Sequence, residues 1–344
     1  MKVLVTGGAG FIGSHLAEAL LSRGDEVWVI DDLSTGRREN ISHLEDSPCF
    51  HWCWGSVLDR QLVRRIIARC DLVYHLAAAV GVSYVVNNPL KSLITNIRGA
   101  EVVLEEAGAD CKKVVLFSSS EVYGKGDGVP FKESSDRVLG PTEVSRWSYA
   151  CGKAVDEFLA LAYWREQGLP TVIVRCFNSC GPRQTGDYGM VIPRFVTQAL
   201  RGEPISVYGD GRQSRCFSYV GDVVGGVLLL ADHPGAVGEV FNIGTDEEVT
   251  INDLALKIKD MTGSSSEIVH VPYEEAYSPG FEDMRRRVPD LSKIGDLVGY
   301  KPSVSLDELL AMTIHDVCLR LDIVPPRGLP STETASLLVT AERA

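Results

Sequence analysis

Met1-Lys2-Val3-Leu4-Val5-Thr6-Gly7-Gly8-Ala9-Gly10-Phe11-Ile12-Gly13 opens the chain and decides how the rest is read. Val3–Val5 form an unbroken apolar run into a glycine turn, and an amphipathic stretch, Ser14–Arg23, follows at once. That order predicts a buried strand, a tight turn and a helix. Gly7, Gly10 and Gly13 recur every third residue. Side chains there would block the turn, the approach of the backbone to a pyrophosphate, or the packing of helix on strand. The N–H groups at the helix start, with the positive end of its dipole, then face the phosphates. A second strand, Val27–Ile30, ends at Asp31, 18 residues after Gly13, where an acid can bind a ribose 2′-hydroxyl. Asp31 and Asp32 together would repel a 2′-phosphate, so the pattern points to NAD rather than NADP.

Further strands are predicted at Leu72–His75, Val114–Phe117 and Thr171–Arg175, and helices at Gln61–Ala68, Leu90–Ala107 and Tyr149–Gln167. Strand–helix repetition with continuous V/I/L strands predicts an α/β fold, a Rossmann-type doubly wound parallel sheet. After about residue 178, Gly and Pro punctuate the chain, and helices are expected near 190–201, 251–262 and 305–321. These form a smaller C-terminal α/β substrate-binding lobe closing over the C-terminal ends of the strands. The expected division is residues 1–178 with 216–244 for the cofactor domain, 179–215 with 245–322 for the lobe, and 323–344 as a flexible tail.

The 344 residues suffice for one large domain with an added lobe, and 45% hydrophobic against 23% charged residues exclude wholesale disorder. A formal net charge of −12 with no long basic run argues against nucleic acid as a partner. No apolar stretch is long enough for a membrane span, and the N-terminus reads as a strand rather than a signal peptide. Nine scattered cysteines without a C-x-x-C read as reduced thiols of a cytoplasmic enzyme, with no metal site, although Cys49/Cys53 and Cys176/Cys180 share a spacing of four.

Tyr149-Ala150-Cys151-Gly152-Lys153 is a Y-x-x-x-K at a predicted helix start, which sets phenol and ammonium on one face. An ordinary phenol is a poor base at neutral pH, but a nearby ammonium and a nicotinamide cation would stabilise its anion. Upstream, Ser118-Ser119-Ser120-Glu121-Val122-Tyr123-Gly124 ends a strand where hydroxyls can meet a ligand. The order of glycine turn, Ser/Glu strand end and Tyr/Lys helix resembles the extended short-chain dehydrogenases/reductases that act on nucleotide sugars. His75-Leu76-Ala77-Ala78, Asn96, Arg175-Cys176-Phe177-Asn178, Gly181-Pro182-Arg183, Tyr208 to Arg215 and Asn242-Ile243-Gly244 are further landmarks. The resemblance spans roughly residues 1–322. It implies a bound NAD lined by Gly7, Gly10, Phe11, Ile12, Gly13, Asp31, Asp32, Ser34, Thr35, Gly36, Leu76, Ala77, Ala78, Tyr149 and Lys153. It implies redox chemistry at C4 of the sugar by Ser119, Tyr149 and Lys153. It places Asn178, Tyr208, Arg215 and Arg287 on the nucleotide diphosphate, with Tyr84, Val191 and Gln213 as further substrate contacts. Guanidinium forks suit a diphosphate. It also implies a homodimer through a four-helix bundle of Leu90–Ala107 and Tyr149–Gln167.

Ser119-Ser120-Glu121-Val122-Tyr123 is similar to the T-S-E-V-Y-G of UDP-glucuronate decarboxylases. 4,6-Dehydratases usually carry T-D-E there, with the Asp as acid for the leaving hydroxyl, although GDP-mannose dehydratases carry T-S-E, and typical 4-epimerases lack the Glu. The leading expectation is therefore conversion of UDP-glucuronate to UDP-xylose, with or without release of a UDP-4-keto-pentose. In it Ser120, Glu121 and Arg287 join the catalytic set. 4-Epimerisation comes second and dehydration third, while a dinucleotide-binding protein without activity is the alternative from another class. Two departures stand out. Gly81-Val82-Ser83-Tyr84-Val85 replaces the Pro-Pro-Asn-Tyr type of stretch near the sugar carboxylate, and Ser56 stands where many relatives have an Asp for the adenine.

Overall fold

The computed structural model describes residues 1–187, 189–276 and 282–329. Seven strands, β1 (Lys2–Thr6), β2 (Glu26–Asp31), β3 (Phe50–Trp54), β4 (Leu72–His75), β5 (Lys113–Ser119), β6 (Thr171–Cys176) and, much later, β11 (Glu239–Ile243), build one sheet. Its order is β11-β6-β5-β4-β1-β2-β3, and every pairing is parallel. This is the doubly wound arrangement, with its switch point between β1 and β4. The expected strands are all present. β3 and β11 are two that the V/I/L runs did not single out.

The strands are apolar on both faces because helices cover both. Val3 and Val5 of β1 pack in one cluster with Leu16 and Leu20 of α1 (Phe11–Ser22), whereas Leu4 packs in another with Val63 of α2 (Arg60–Ile67) and Val103 of the helix near residue 100. That last helix is not the continuous Leu90–Ala107 expected. After α3 (Val82–Asn87) come α4 (Pro89–Leu93), a π turn over Ile94–Arg98, and α5 (Gly99–Ala109). The wide turn is organised by Asn96, a fully buried amide that accepts from Ala79 N at 2.7 Å and donates to Ala79 O at 3.2 Å. It thereby fixes the loop leaving β4; π turns often sit at functional sites.

Helix α6 (Trp147–Gln167) lies against β5 and β6 and ends at Gly168 in the left-handed conformation. After β7 (Ser179–Cys180), a second apolar cluster forms among α7 (Val191–Arg201), β8 (Ile205–Tyr208) and the later helices α9 (Ile251–Thr262) and α12 (Leu306–Leu321). β9 (Ser214–Cys216), β10 (Ser218–Tyr219) and α8 (Val220–Asp232) lead back to β11. β12 (Glu248–Thr250), β13 (Ile268–Val271), α10 (Tyr273–Ala276), β14 (Arg286–Arg287) and α11 (Ser292–Val298) are the remaining strands and α-helices among the described residues. The register β12-β9-β14 sets Arg287 beside Arg215. Of the expected flexible tail, Ile323 and Leu329 pack against the second cluster, and residues 330–344 lie outside the described residues.

Candidate active site

The C-terminal ends of the central strands open into a cavity of about 470 Å³. Register aligns these ends: Thr6 pairs with His75, and Ser119 pairs with Cys176. At the β1 end, Gly7 has φ +72°, and a Cβ there would lie 2.8 Å from Ala77 N. A Cβ on Gly13 would lie 2.2 Å from the Gly7 carbonyl oxygen. Both glycines are demanded by close backbone approach. Asp31 accepts from Ala9 N at 2.9 Å and Leu33 N at 2.8 Å, and burial raises its pKa. A carboxylate offers about four acceptor positions, which leaves room for ribose hydroxyls. The close glycine turn at the start of α1 and the acid at the β2 end fit a dinucleotide with an unphosphorylated adenosine ribose.

Gly7, Gly10, Phe11, Ile12, Gly13, Asp31, Asp32, Ser34, Thr35, Leu76, Ala77 and Ala78 all line this cavity, as do Ser119, Ser120, Glu121, Tyr149, Lys153, Asn178, Val191, Tyr208, Gln213, Arg215 and Arg287. Gly36 sits just behind, where a Cβ would press on the Asp31 carboxylate at 2.8 Å. Tyr84 is not among the lining residues. It sits on α3, whose Val82 and Val85 face the cavity instead. Cys49/Cys53 flank or occupy β3, and Cys176 and Cys180 fall on β6 and β7, so neither pair has the helical geometry its spacing suggested.

Tyr149 and Lys153 share one face of α6. Burial, first, and the Glu121 carboxylate, second, push the Tyr149 phenol well above its ordinary range, while a hydrogen bond with Ser119 opposes them. The Lys153 ammonium is 3.2 Å from Asp156 in an almost wholly buried pair. His75, behind it, is fully buried, exchanges a hydrogen bond with Thr6 at 2.8 Å, and is held neutral by burial with a pKa of about 3.

Across from Tyr149 lies a charged cluster that joins Glu121, Arg215 and Arg287, expected from the sequence, to Arg146 and Asp283, which were not. Glu121 pairs with Arg146 at 3.1 Å and with Arg287, which also donates to Asn178. Burial works to raise the Glu121 pKa, but the two guanidinium groups outweigh it and hold it down at about 2. Asp283 bridges Arg146 at 2.8 Å and Arg215 at 2.9 Å. Three guanidinium groups thus face two carboxylates, which makes a locally cationic enclosure in an acidic chain. Arg146 and Asp283 are cavity-lining residues that no motif marked. Arg183, noted above only as a landmark, also lines the cavity beside α1, where it pairs with Glu18 at 2.5 Å. One face of Tyr208 is taken by the Arg194 guanidinium, 4.0 Å from the ring centre. Of Arg285-Arg286-Arg287, Arg287 is buried, while its neighbours pair at the surface with Asp210 and Glu248.

A doubly wound sheet that brings a glycine turn, a Tyr/Lys helix and an arginine cluster to one cavity defines an extended short-chain dehydrogenase/reductase of the nucleotide-sugar type. A profile of the GDP-mannose 4,6 dehydratase family matches residues 4–313, and the chain belongs to that family. It is 43% identical to a UDP-N-acetyl-alpha-D-glucosaminuronate decarboxylase of Bacillus cytotoxicus, over 91% of this chain and 97% of that protein. It is 38% identical to UDP-glucuronic acid decarboxylase 1 of Arabidopsis thaliana, over 92% of this chain and 69% of that protein. Among solved structures it resembles the UDP-glucuronic acid 4-epimerase of Bacillus cereus, in complex with UDP-glucuronic acid and NAD, with a TM-score of 0.83 and 31% identity. That likeness covers 93% of this chain and all of the other.

Proposed function

We propose that this chain is an NAD-dependent UDP-glucuronate decarboxylase that forms UDP-xylose. The observation that carries this reading is the Ser119-Ser120-Glu121 strand end, with Glu121 held ionised between Arg146 and Arg287 beside Tyr149. A 4,6-dehydration needs an acid for the leaving C6 hydroxyl. Ser120 is a poor one, and Glu121 with a pKa of about 2 carries no proton to give at neutral pH. A net-positive enclosure suits a sugar that itself bears a carboxylate.

Tyr149 takes the C4 hydroxyl proton, Ser119 holds that hydroxyl, and Lys153 supports the phenolate. Bound along Gly7–Gly13, Asp31 and Ala77, NAD+ supplies hydride acceptance from C4 and its later return. The C4 ketone lies β to the C6 carboxylate, so C5–C6 cleavage releases CO2 and leaves its electron pair in the C4–C5 enolate. C5 then takes a proton, and Tyr149 returns one to the C4 oxygen. Arg215, Arg287 and Asn178 hold the diphosphate, and the sequence-derived division into a cofactor domain and a sugar-binding lobe belongs to the same reading. One relative, the Bacillus cytotoxicus protein at 43% identity, supports UDP-N-acetylglucosaminuronate as a further substrate by its name.

The same proposal includes a homodimer. Leu90 and Ile94, on α4 and the π turn, and Phe158 on α6 are exposed at 71%, 37% and 60%. They lie on helices that pack against each other, as a shared four-helix bundle requires. The catalytic reading is tested by supplying UDP-glucuronate to the purified protein and weighing the sugar nucleotide. Loss of the mass of CO2 is expected; an unchanged mass with altered C4 coupling would make the chain a 4-epimerase.

A further inference from the structure

Asp156 is a buried carboxylate for which the reaction above has no use. It is fully buried on α6, at the i+7 position from Tyr149 and i+3 from Lys153, so all three share one helix face. Among the described residues the polar partner of its oxygens is the Lys153 ammonium, at 3.2 Å. An under-satisfied buried carboxylate is costly, and an apolar side chain of similar size would pack there at lower cost. Its neighbour Glu157 is different. Glu157 is saturated by Arg175 at 2.7 Å, Arg137 at 3.2 Å and Ser118 at 2.5 Å, which marks it as structural.

We propose that Asp156 is a positioning residue that acts through Lys153: it holds the ammonium and offsets its charge, so that Tyr149 stays protonated until the positive nicotinamide ring of NAD+ is bound. This rests on the NAD-dependent reading of the cavity. Among the described residues the surroundings of the pair supply no substitute charge: Glu157, on the same helix, is taken by Arg175 and Arg137. From β4 comes His75, which is neutral; from β6 come Cys176, whose thiol is pushed up to about 12 by burial, and Arg175, which is spent on Glu157. From the β5 end come Ser118, Ser119 and Glu121, the last clamped by Arg146 and Arg287. Lys153 and Asp156 are therefore a nearly neutral unit beneath the phenol, and Asp156 adds to the groups that hold Tyr149 protonated. The arrangement couples the base to the oxidised cofactor: with reduced cofactor bound, no phenolate forms, and a sugar hydroxyl is not deprotonated without a hydride acceptor beside it.

The test is a pH titration of the near-ultraviolet phenolate absorbance in the NAD+-loaded protein, with Tyr149→Phe as the blank for the remaining tyrosines. Asp156→Asn and Asp156→Leu are compared with wild type; the second covers the case in which the amide fails to fold. The Tyr149 midpoint should fall by about one pH unit in each variant, giving about tenfold more phenolate below the midpoint. A midpoint that stays put or rises, even with lowered thermal stability, overturns the proposal and leaves Asp156 with a structural role. No sugar is present, so the titration stands whatever the substrate, and a failed titration leaves the product assay untouched.

Discussion

The half of the cavity that fits the dinucleotide and the half that faces Tyr149 from the arginine side are built by opposite means. The first comes from short local segments, Gly7–Gly13, Asp31 and Leu76–Ala78, and depends on absent side chains and close backbone approach. The second draws Glu121, Arg146, Asn178, Arg215, Asp283 and Arg287 from separate parts of the chain and is held by charge. The first should tolerate changes of chemistry better than changes of volume, and the second the reverse. Tyr149 stands at the seam.

Tyr149→Phe tests the seam and should have the largest effect. Turnover is expected to drop by about 10³-fold, while NAD content and UDP-sugar affinity stay near wild type. Unimpaired turnover would remove Tyr149 as the base. Arg287→Lys keeps the charge but loses the fork that spans Glu121 and Asn178, so kcat/KM should fall by about a hundredfold. A variant as active as wild type would show that charge alone suffices there. Gly13→Ala adds volume where only 2.2 Å is available. Co-purifying nicotinamide, measured after denaturation, should fall by at least about tenfold, with UDP-sugar binding less affected. Equal loss of both ligands would mean that the two halves are not separable.

Glu121→Gln keeps the shape and removes the charge. Rapid-reaction absorbance should show C4 oxidation slowed less than the steps after it; equal slowing would argue that Glu121 mainly shapes the pocket. The smallest effect is on stability. Burial holds His75 and, on α1, His15 neutral in the fold, lowering their pKa to about 3 and about 4, so below about pH 6.5 the unfolded chain binds protons that the native one does not. Glu121, held at about 2, acts in the same direction below its ordinary range. Denaturant midpoints should therefore fall steadily from pH 7 to pH 5, and His75→Asn should lose part of that slope.

What the sequence disclosed follows the same divide. Glycine spacing after Val3–Val5 and an acid ending the second strand are local signals, and the cofactor side was legible from them. Strand β3, Phe50-His51-Trp52-Cys53-Trp54, escaped notice because its apolar residues are aromatic and its edge position leaves Trp54 71% exposed. The Ser/Glu strand end and the Tyr/Lys helix were legible as motifs. Arg146 and Asp283 were not: lone charges in irregular chain look alike until the fold sets them face to face. Tyr84 shows the opposite failure, a residue with suitable chemistry whose helix turns Val82 and Val85 to the cavity. Asp156 was read only as one position of a helix, since its burial beside Lys153 is a property of packing.

The most direct measurement is proton NMR of the product formed from UDP-glucuronate in deuterated water with the NAD-loaded protein. The account predicts UDP-xylose carrying one solvent deuterium at C5, because C5 is protonated only after CO2 has left. A product that retains C6 and differs from substrate only at C4, or recovered substrate with no CO2 released, would contradict it.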